Sequence, residues 1–231
     1  MTFSEAIARK VAAQCCNSQG EEQGLVEAFV QVCNFLYDNP SALSWRSNIN
    51  IFSVQTEQGL RILAEKYYSS YRRSDFPVMA RTIPDEMVSI VMMEAFGYSK
   101  EAIDRIKVEH QRAMVAENCV GALLERYLDS VLRPKGWNWC CGSFVKAIDF
   151  VKRDKNNEWL ALQIKNRDNS ENSSSSAIRN NTSIQKWFRS YSRNGNTNWD
   201  NLPALMQGFS LSEQGFANFV RAYLAKENSR L

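Results

Sequence analysis

Four stretches in the first hundred positions place apolar residues at three- and four-residue intervals: FSEAIARKVAAQCC, EEQGLVEAFVQVCNFLY, EQGLRILAEKYYSSYRR and PDEMVSIVMMEAF. That interval matches the turn of a helix, so each stretch is predicted to bury one stripe of its surface. Turn signals separate them at residues 38–40, at Phe76 with Pro77, and at Gly97. Pro84 in a first turn, with Asp85 and Glu86 after it, fits the start of the fourth helix. Together the four predict a helical lobe over residues 1–100.

A longer amphipathic stretch follows over residues 99–132, closed by Pro134 and Gly136. The pattern then changes. AIDFV and WLALQIK are short and rich in β-branched and aromatic residues, and the charged, Asn-containing KRDKNNE between them reads as a hairpin turn. Beyond the hairpin, Thr182 followed by SIQKWFRSYS predicts a helix, with Gln185 in the capping-box position and a stripe at Ile184, Trp187, Phe188 and Tyr191. A last amphipathic helix begins near Ser212. Residues 101–231 are thereby expected to form a second domain, or one compact unit with the first. No repeat, heptad series or phosphate-cradling glycine loop is present.

The hairpin carries the candidate chemistry. A turn centred near Asn156 sets Asp149 opposite Gln163, and the two-residue period of a strand puts Gln163 and Lys165 on one face. A carboxylate, an amide oxygen and an ammonium so gathered can hold a hard divalent cation and orient a water beside it, which is what phosphodiester cleavage requires. Glu125 interrupts the apolar face of VGALLERYLDSVL in the preceding helix. It is either an outward-pointing helix residue or a further carboxylate that reaches the same cation.

Composition narrows the alternatives. At 231 residues, 44% of them hydrophobic, the chain can bury a substantial core. Glu5 falls where a secretion signal would begin its apolar region, and no apolar run is long enough to span a bilayer, so a soluble cytoplasmic protein without a membrane partner is expected. Six cysteines without C-x-x-C spacing read as reduced core residues rather than zinc ligands. The single histidine, His110, lies in a charged helical segment without other catalytic groups beside it. Histidine-based nucleases and Ser-His-Asp hydrolases are thus excluded, leaving carboxylates, amides and lysine to do the work.

A net charge of +3 conceals a marked asymmetry. Residues 133–193 hold twelve Lys or Arg against five Asp or Glu, an excess of +7 that leaves −4 for the rest of the chain. Positive potential around the hairpin draws a polyanion to the candidate site. Within residues 166–176, eight of eleven are Asn or Ser, types that bond base edges along with arginine. The expected DNA-facing set is therefore Arg179, Arg189 and Arg193 as guanine readers or phosphate contacts, with Lys186, Asn169, Asn172, Ser173, Ser174, Asn180 and Asn181.

The hairpin, the Glu-bearing helix before it and the basic surroundings resemble the PD-(D/E)XK nuclease superfamily. In that resemblance Asp149 is the metal-binding aspartate and Lys165 the motif lysine. More narrowly, ENCVGALLERYL, FVKAIDFVK, LQIKNRDNSENSSSS, IQKWFR and NTNWDNLP, spanning residues 117–203, resemble type II restriction endonucleases of the SinI type. The resemblance implies an α/β (α+β) fold, a mixed sheet flanked by helices. It also implies a homodimer that uses magnesium, recognises GGWCC in double-stranded DNA and cuts both strands, with a cognate DNA methyltransferase encoded separately.

One position departs from the superfamily pattern: Gln163 stands where a second acid is usual. An amide donates an oxygen but no charge. The metal set is then expected to comprise Asp149, Gln163, the backbone carbonyl of Ile164 and Glu125, with Glu117, Asp168 or Glu171 as substitutes. Two alternatives share these features: a structure-specific repair or junction nuclease with the same core, and a non-catalytic DNA-binding protein whose Gln163 marks a decayed site.

Overall fold

Serine, threonine and aspartate side chains start the helices of this computed structural model, which describes residues 2–16, 23–44, 53–78, 85–168 and 184–229. Ser4 caps α1 (Glu5–Cys15), Thr56 caps α3 (Glu57–Arg72), Asp85 caps α4 (Glu86–Phe96) and Ser99 caps α5 (Lys100–Leu132), each accepting a backbone N–H of the first turn. Helix α2 spans Gln23–Asp38, and α6 spans Glu213–Asn228 behind the Ser212 cap. The acid expected inside the first turn of α4 is its cap instead, and Pro84 lies outside the described residues. Among the described residues no helix is long and apolar enough to cross a membrane.

Four strands make one sheet in the order β1 (Asn138–Trp139), β2 (Phe150–Arg153), β3 (Trp159–Arg167) and β4 (Ile184–Ser190). The first two pairings are antiparallel and β3–β4 is parallel, so the fold is α+β with a mixed sheet, as expected. The β2–β3 hairpin pairs Phe150 with Leu162 and Arg153 with Trp159, which centres the turn on residue 156. Asp154 shapes it: Oδ1 accepts the N–H groups of Asn156 and Glu158, both at 2.8 Å. Asn157 adopts a left-handed φ of 66°, which asparagine tolerates better than most residues.

One expected element is overturned. Residues 184–190 form β4, not a helix, and pair with β3 from Ala161↔Ile184 to Arg167↔Ser190. The apolar spacing at Ile184, Trp187 and Phe188 arises because both faces of β4 are covered: Trp187 is fully buried, while Ile184 and Phe188 are half-buried on the other face. A strand covered on both sides shows no clean alternation.

The helices of the first lobe and the sheet share a core. Phe29 and Leu36 of α2, Leu63 and Tyr67 of α3, Leu124 and Leu128 of α5, and Phe150, Leu162 and Trp187 of the sheet belong to one buried cluster. Asp38 at the end of α2 ties the lobe to the hairpin, accepting from Arg153 at 2.6 Å and from the Trp159 indole at 2.8 Å. None of the six cysteines is in a disulfide, with Cys16, Cys33, Cys140 and Cys141 in the core, and His110 is an exposed residue of α5.

Candidate active site

Asp149 sits one residue before β2 and is bonded on both sides of Gln163. Its N–H donates to the Leu162 carbonyl at 2.9 Å, and its carboxylate Oδ2 accepts the Ile164 N–H at 2.6 Å. The expected pairing of Asp149 with Gln163 is thus realised as a bracket rather than a ladder rung. Ala147, two residues earlier, has φ 54°, a left-handed conformation that costs an alanine free energy and turns the chain into this position.

Gln163 is 2% exposed, and its Oε1 is buried without a hydrogen-bond donor. An unsatisfied buried amide oxygen costs about 1–3 kcal/mol, so it marks a place where a ligand belongs. Two positions on, Lys165 is half-buried and close enough to Asp149 and Glu125 that its charge favours the ionised form of both. In an extended strand the N–H and C=O of one residue point the same way, so the Ile164 carbonyl shares the edge that its N–H offers Asp149.

Helix α5 delivers Glu125 to the same place. The Trp139 indole N–H donates to Glu125 Oε2 at 2.9 Å, which turns the side chain toward the sheet instead of outward. Burial raises the Glu125 carboxyl well above its ordinary range, and the neighbouring Asp149 charge raises it further. Burial also raises Asp149, against the opposing pull of the Ile164 N–H and Lys165. Two acids whose ionised forms both cost free energy, beside an amide oxygen without a donor, form a site that a cation would stabilise.

The helix turn next to Glu125 is fixed by Arg126. Its guanidinium forms an ion pair with Asp75, donates to the carbonyls of Tyr71 at 2.9 Å and Arg73 at 2.6 Å, and lies 5.4 Å from the Trp139 ring centre. A cleft of about 360 Å³ opens between α5 and β3, lined by Glu117, Asn118, Gly121, Glu125, Lys165 and Arg167 among others. Glu117, Gly121 and Glu125 are spaced four apart and so share one helix face. A Cβ at Gly121 would meet nothing within 4 Å, leaving the cleft open at its middle.

The remaining expected site residues divide. Glu117 lines the cleft and pairs with Arg167 at 3.6 Å. Asp168 accepts the Ser192 N–H at 2.8 Å and serves the end of β4. Arg189 is engaged within the fold: Nε donates to Asn166 at 2.9 Å, Nη1 to Glu213 at 2.6 Å, and the guanidinium lies 5.4 Å from the Phe216 ring centre. Arg189 is thus held within the fold by β3 and α6. Arg193 is exposed in the turn after β4, and Lys186 is half-buried on β4. Asn169, Glu171, Asn172, Ser173, Ser174, Arg179, Asn180 and Asn181 lie outside the described residues.

Sequence reasoning missed Trp139 and the Arg126–Asp75 pair, because neither spacing nor residue type announces a contact made around the corner at Gly136. The four-residue spacing of Glu117, Gly121 and Glu125 was a legible signal of the helix face.

The family model described as SinI restriction endonuclease matches residues 8–226. The type II restriction enzyme Eco47I of Escherichia coli is 48% identical over 204 residues, covering 87% of this chain and 88% of that one. The type II restriction enzyme SinI of Salmonella infantis is 46% identical over 189 residues, covering 81% of this chain and 80% of that one.

Proposed function

The chain belongs to the SinI restriction endonuclease family, and from that premise we propose that it is a magnesium-dependent type II site-specific deoxyribonuclease acting as a homodimer on double-stranded DNA. The observation that carries the reading is the closeness of Asp149, Lys165 and Glu125 beside the strand that holds the orphaned oxygen of Gln163.

The donor set is all oxygen, which suits magnesium over zinc or copper. The Asp149 and Glu125 carboxylates, the Gln163 amide oxygen and the Ile164 carbonyl would hold the ion. Among the described residues no group of three or more His, Cys, Asp or Glu could do so, so the amide and carbonyl oxygens complete the set. When bound, magnesium supplies positive charge against which the scissile phosphate accumulates negative charge.

The chain's own groups do the rest. Lys165 orients the attacking water and, as a neighbouring cation, makes its deprotonation easier. Asp149 is held in one orientation by the Ile164 N–H, and Glu125 by the Trp139 indole, so neither needs to reorganise. The water oxygen attacks phosphorus in line, the bond from phosphorus to the 3′ oxygen breaks, and a proton passes to that oxygen. The products are a 5′-phosphate and a 3′-hydroxyl.

The SinI-type resemblance makes GGWCC the expected site, and restriction implies a companion methyltransferase that protects it. Arg193, Lys186 and the polar residues between β3 and β4 would face the DNA; a basic excess of +7 over residues 133–193 supports that orientation. Digestion of a sequenced plasmid, followed by end mapping, tests the reading. Discrete fragments with magnesium and intact plasmid with EDTA are expected. A random ladder, branch-dependent nicking or cleavage unaffected by EDTA would overturn it.

A further inference from the structure

Helix α4 is inside out. Its only buried residue is a serine: Ser89 is 6% exposed and accepts from the Lys107 ammonium of α5, which also lies 3.7 Å from Glu86. Its large apolar residues point to solvent, with Met87 58%, Val91 57% and Phe96 70% exposed, and Val88 and Ile90 exposed beside them. On α5, Val108 and Met114 are exposed as well. A helix that turns its polar residue toward its neighbour and its apolar ones toward water presents a surface to be covered.

We propose that the α4–α5 hairpin is where two copies of this chain associate, the apolar face of α4 from one copy packing against the same hairpin of the other around a two-fold axis. Charge argues against DNA as the occupant, and size favours a second copy. Residues 86–117 carry Lys100, Arg105, Lys107 and Arg112 against Glu86, Glu94, Glu101, Asp104, Glu109 and Glu117, so the hairpin is acidic by two charges. The apolar face has no attraction for a polyanion, which separates it from the basic DNA-facing side.

Size agrees. The eleven residues of α4 span about 16 Å, and residues 100–118 of α5 span about 28 Å. With helix axes roughly 8–10 Å apart, the hairpin offers a projected face of roughly 500 Å², more once side-chain relief is counted. Stable dimers bury about 800 Å² per partner, which is the same order.

Continuity of α5 gives the association a purpose. One unbroken helix runs from the hairpin to Glu125, so the contact also sets the spacing of two active sites. From Val108 to Glu125 the helix rises about 26 Å. That purpose rests on the proposed nuclease reading; the association itself does not.

Sedimentation of the whole chain at tens of micromolar, alone and with a short DNA duplex, tests this. Wild-type protein is expected at twice the chain mass. Val91→Glu and Phe96→Asp should each weaken self-association at least 100-fold and sediment as monomers with unchanged circular dichroism. Should either variant unfold, Val91→Ser is the substitute, with a tenfold weakening expected. A monomeric wild-type chain, including one that instead binds lipid vesicles, would overturn the proposal. So would folded variants that remain dimeric. Folded variants that remain dimeric would sink this surface alone and leave the homodimeric nuclease reading intact, whereas a monomeric wild-type chain would contradict the homodimer in that reading as well.

Discussion

The Ile164 N–H donates to the Asp149 carboxylate at 2.6 Å, across the hairpin and immediately beyond Gln163. This bond holds the acid against the strand that carries both the orphaned amide oxygen and Lys165. Positioning therefore comes from β3 itself, a rigid element, and loop contacts are not needed to hold the acid there.

Stability without metal should depend on pH through Glu125. A carboxyl raised in the folded state is neutral at no cost below its unfolded value, and the fold loses stability as pH rises above the ordinary carboxylate range. Glu125→Gln keeps an oxygen for the Trp139 indole and removes the charge. In EDTA its melting temperature should match wild type near pH 4 and exceed it at pH 8.5. A gain of about 1 kcal/mol reads as about 2–4 °C in a chain of this size. A difference independent of pH would refute the assignment.

Gln163→Glu places an acid where the PD-(D/E)XK pattern that the hairpin resembles usually has one. A third carboxyl beside Glu125 and Asp149 should lower the melting temperature in EDTA and enlarge the rise produced by magnesium chloride, because the ion binds only the folded state. Melting curves across a magnesium titration measure both. An unchanged magnesium response would show that Gln163 does not face the ion.

Trp139→Phe removes the indole donor that directs Glu125 into the site while keeping an aromatic ring beneath Arg126. Hydrogen bonds to charged groups contribute roughly 1.5–3 kcal/mol. The magnesium concentration for half-maximal cleavage should rise at least tenfold, with little change in affinity for DNA in calcium. An equal loss in both would indicate general misfolding.

Arg189 and Arg193 should separate. Arg189→Ala breaks contacts with Asn166, Glu213 and Phe216, so it should lower stability by about 1–3 kcal/mol. Arg193→Ala should leave melting unchanged and weaken DNA binding. Loss confined to the cognate sequence identifies a base contact; loss on all sequences with a shallower salt slope identifies a phosphate contact.

Much of this was legible in the sequence. The charged turn centred at Asn156 fixed the β2–β3 register, and with it the closeness of Asp149, Gln163 and Lys165. The acid in an apolar helix face gave Glu125. Strand β4 was misread because Ile184, Trp187 and Phe188 satisfy helical spacing equally well in a strand covered on both faces, and a parallel partner leaves no mark in local pattern. The Trp139–Glu125 bond and the inverted burial of α4 depend on packing between distant segments, which periodicity does not encode.

Asp149→Ala in purified protein is the most direct test of the site. With magnesium and a plasmid bearing the cognate sequence, the variant should produce no cleavage over times at which wild type cuts to completion. It should still bind the cognate duplex specifically in calcium. Full cutting by the variant would contradict the assignment of Asp149, and with it the account of the site.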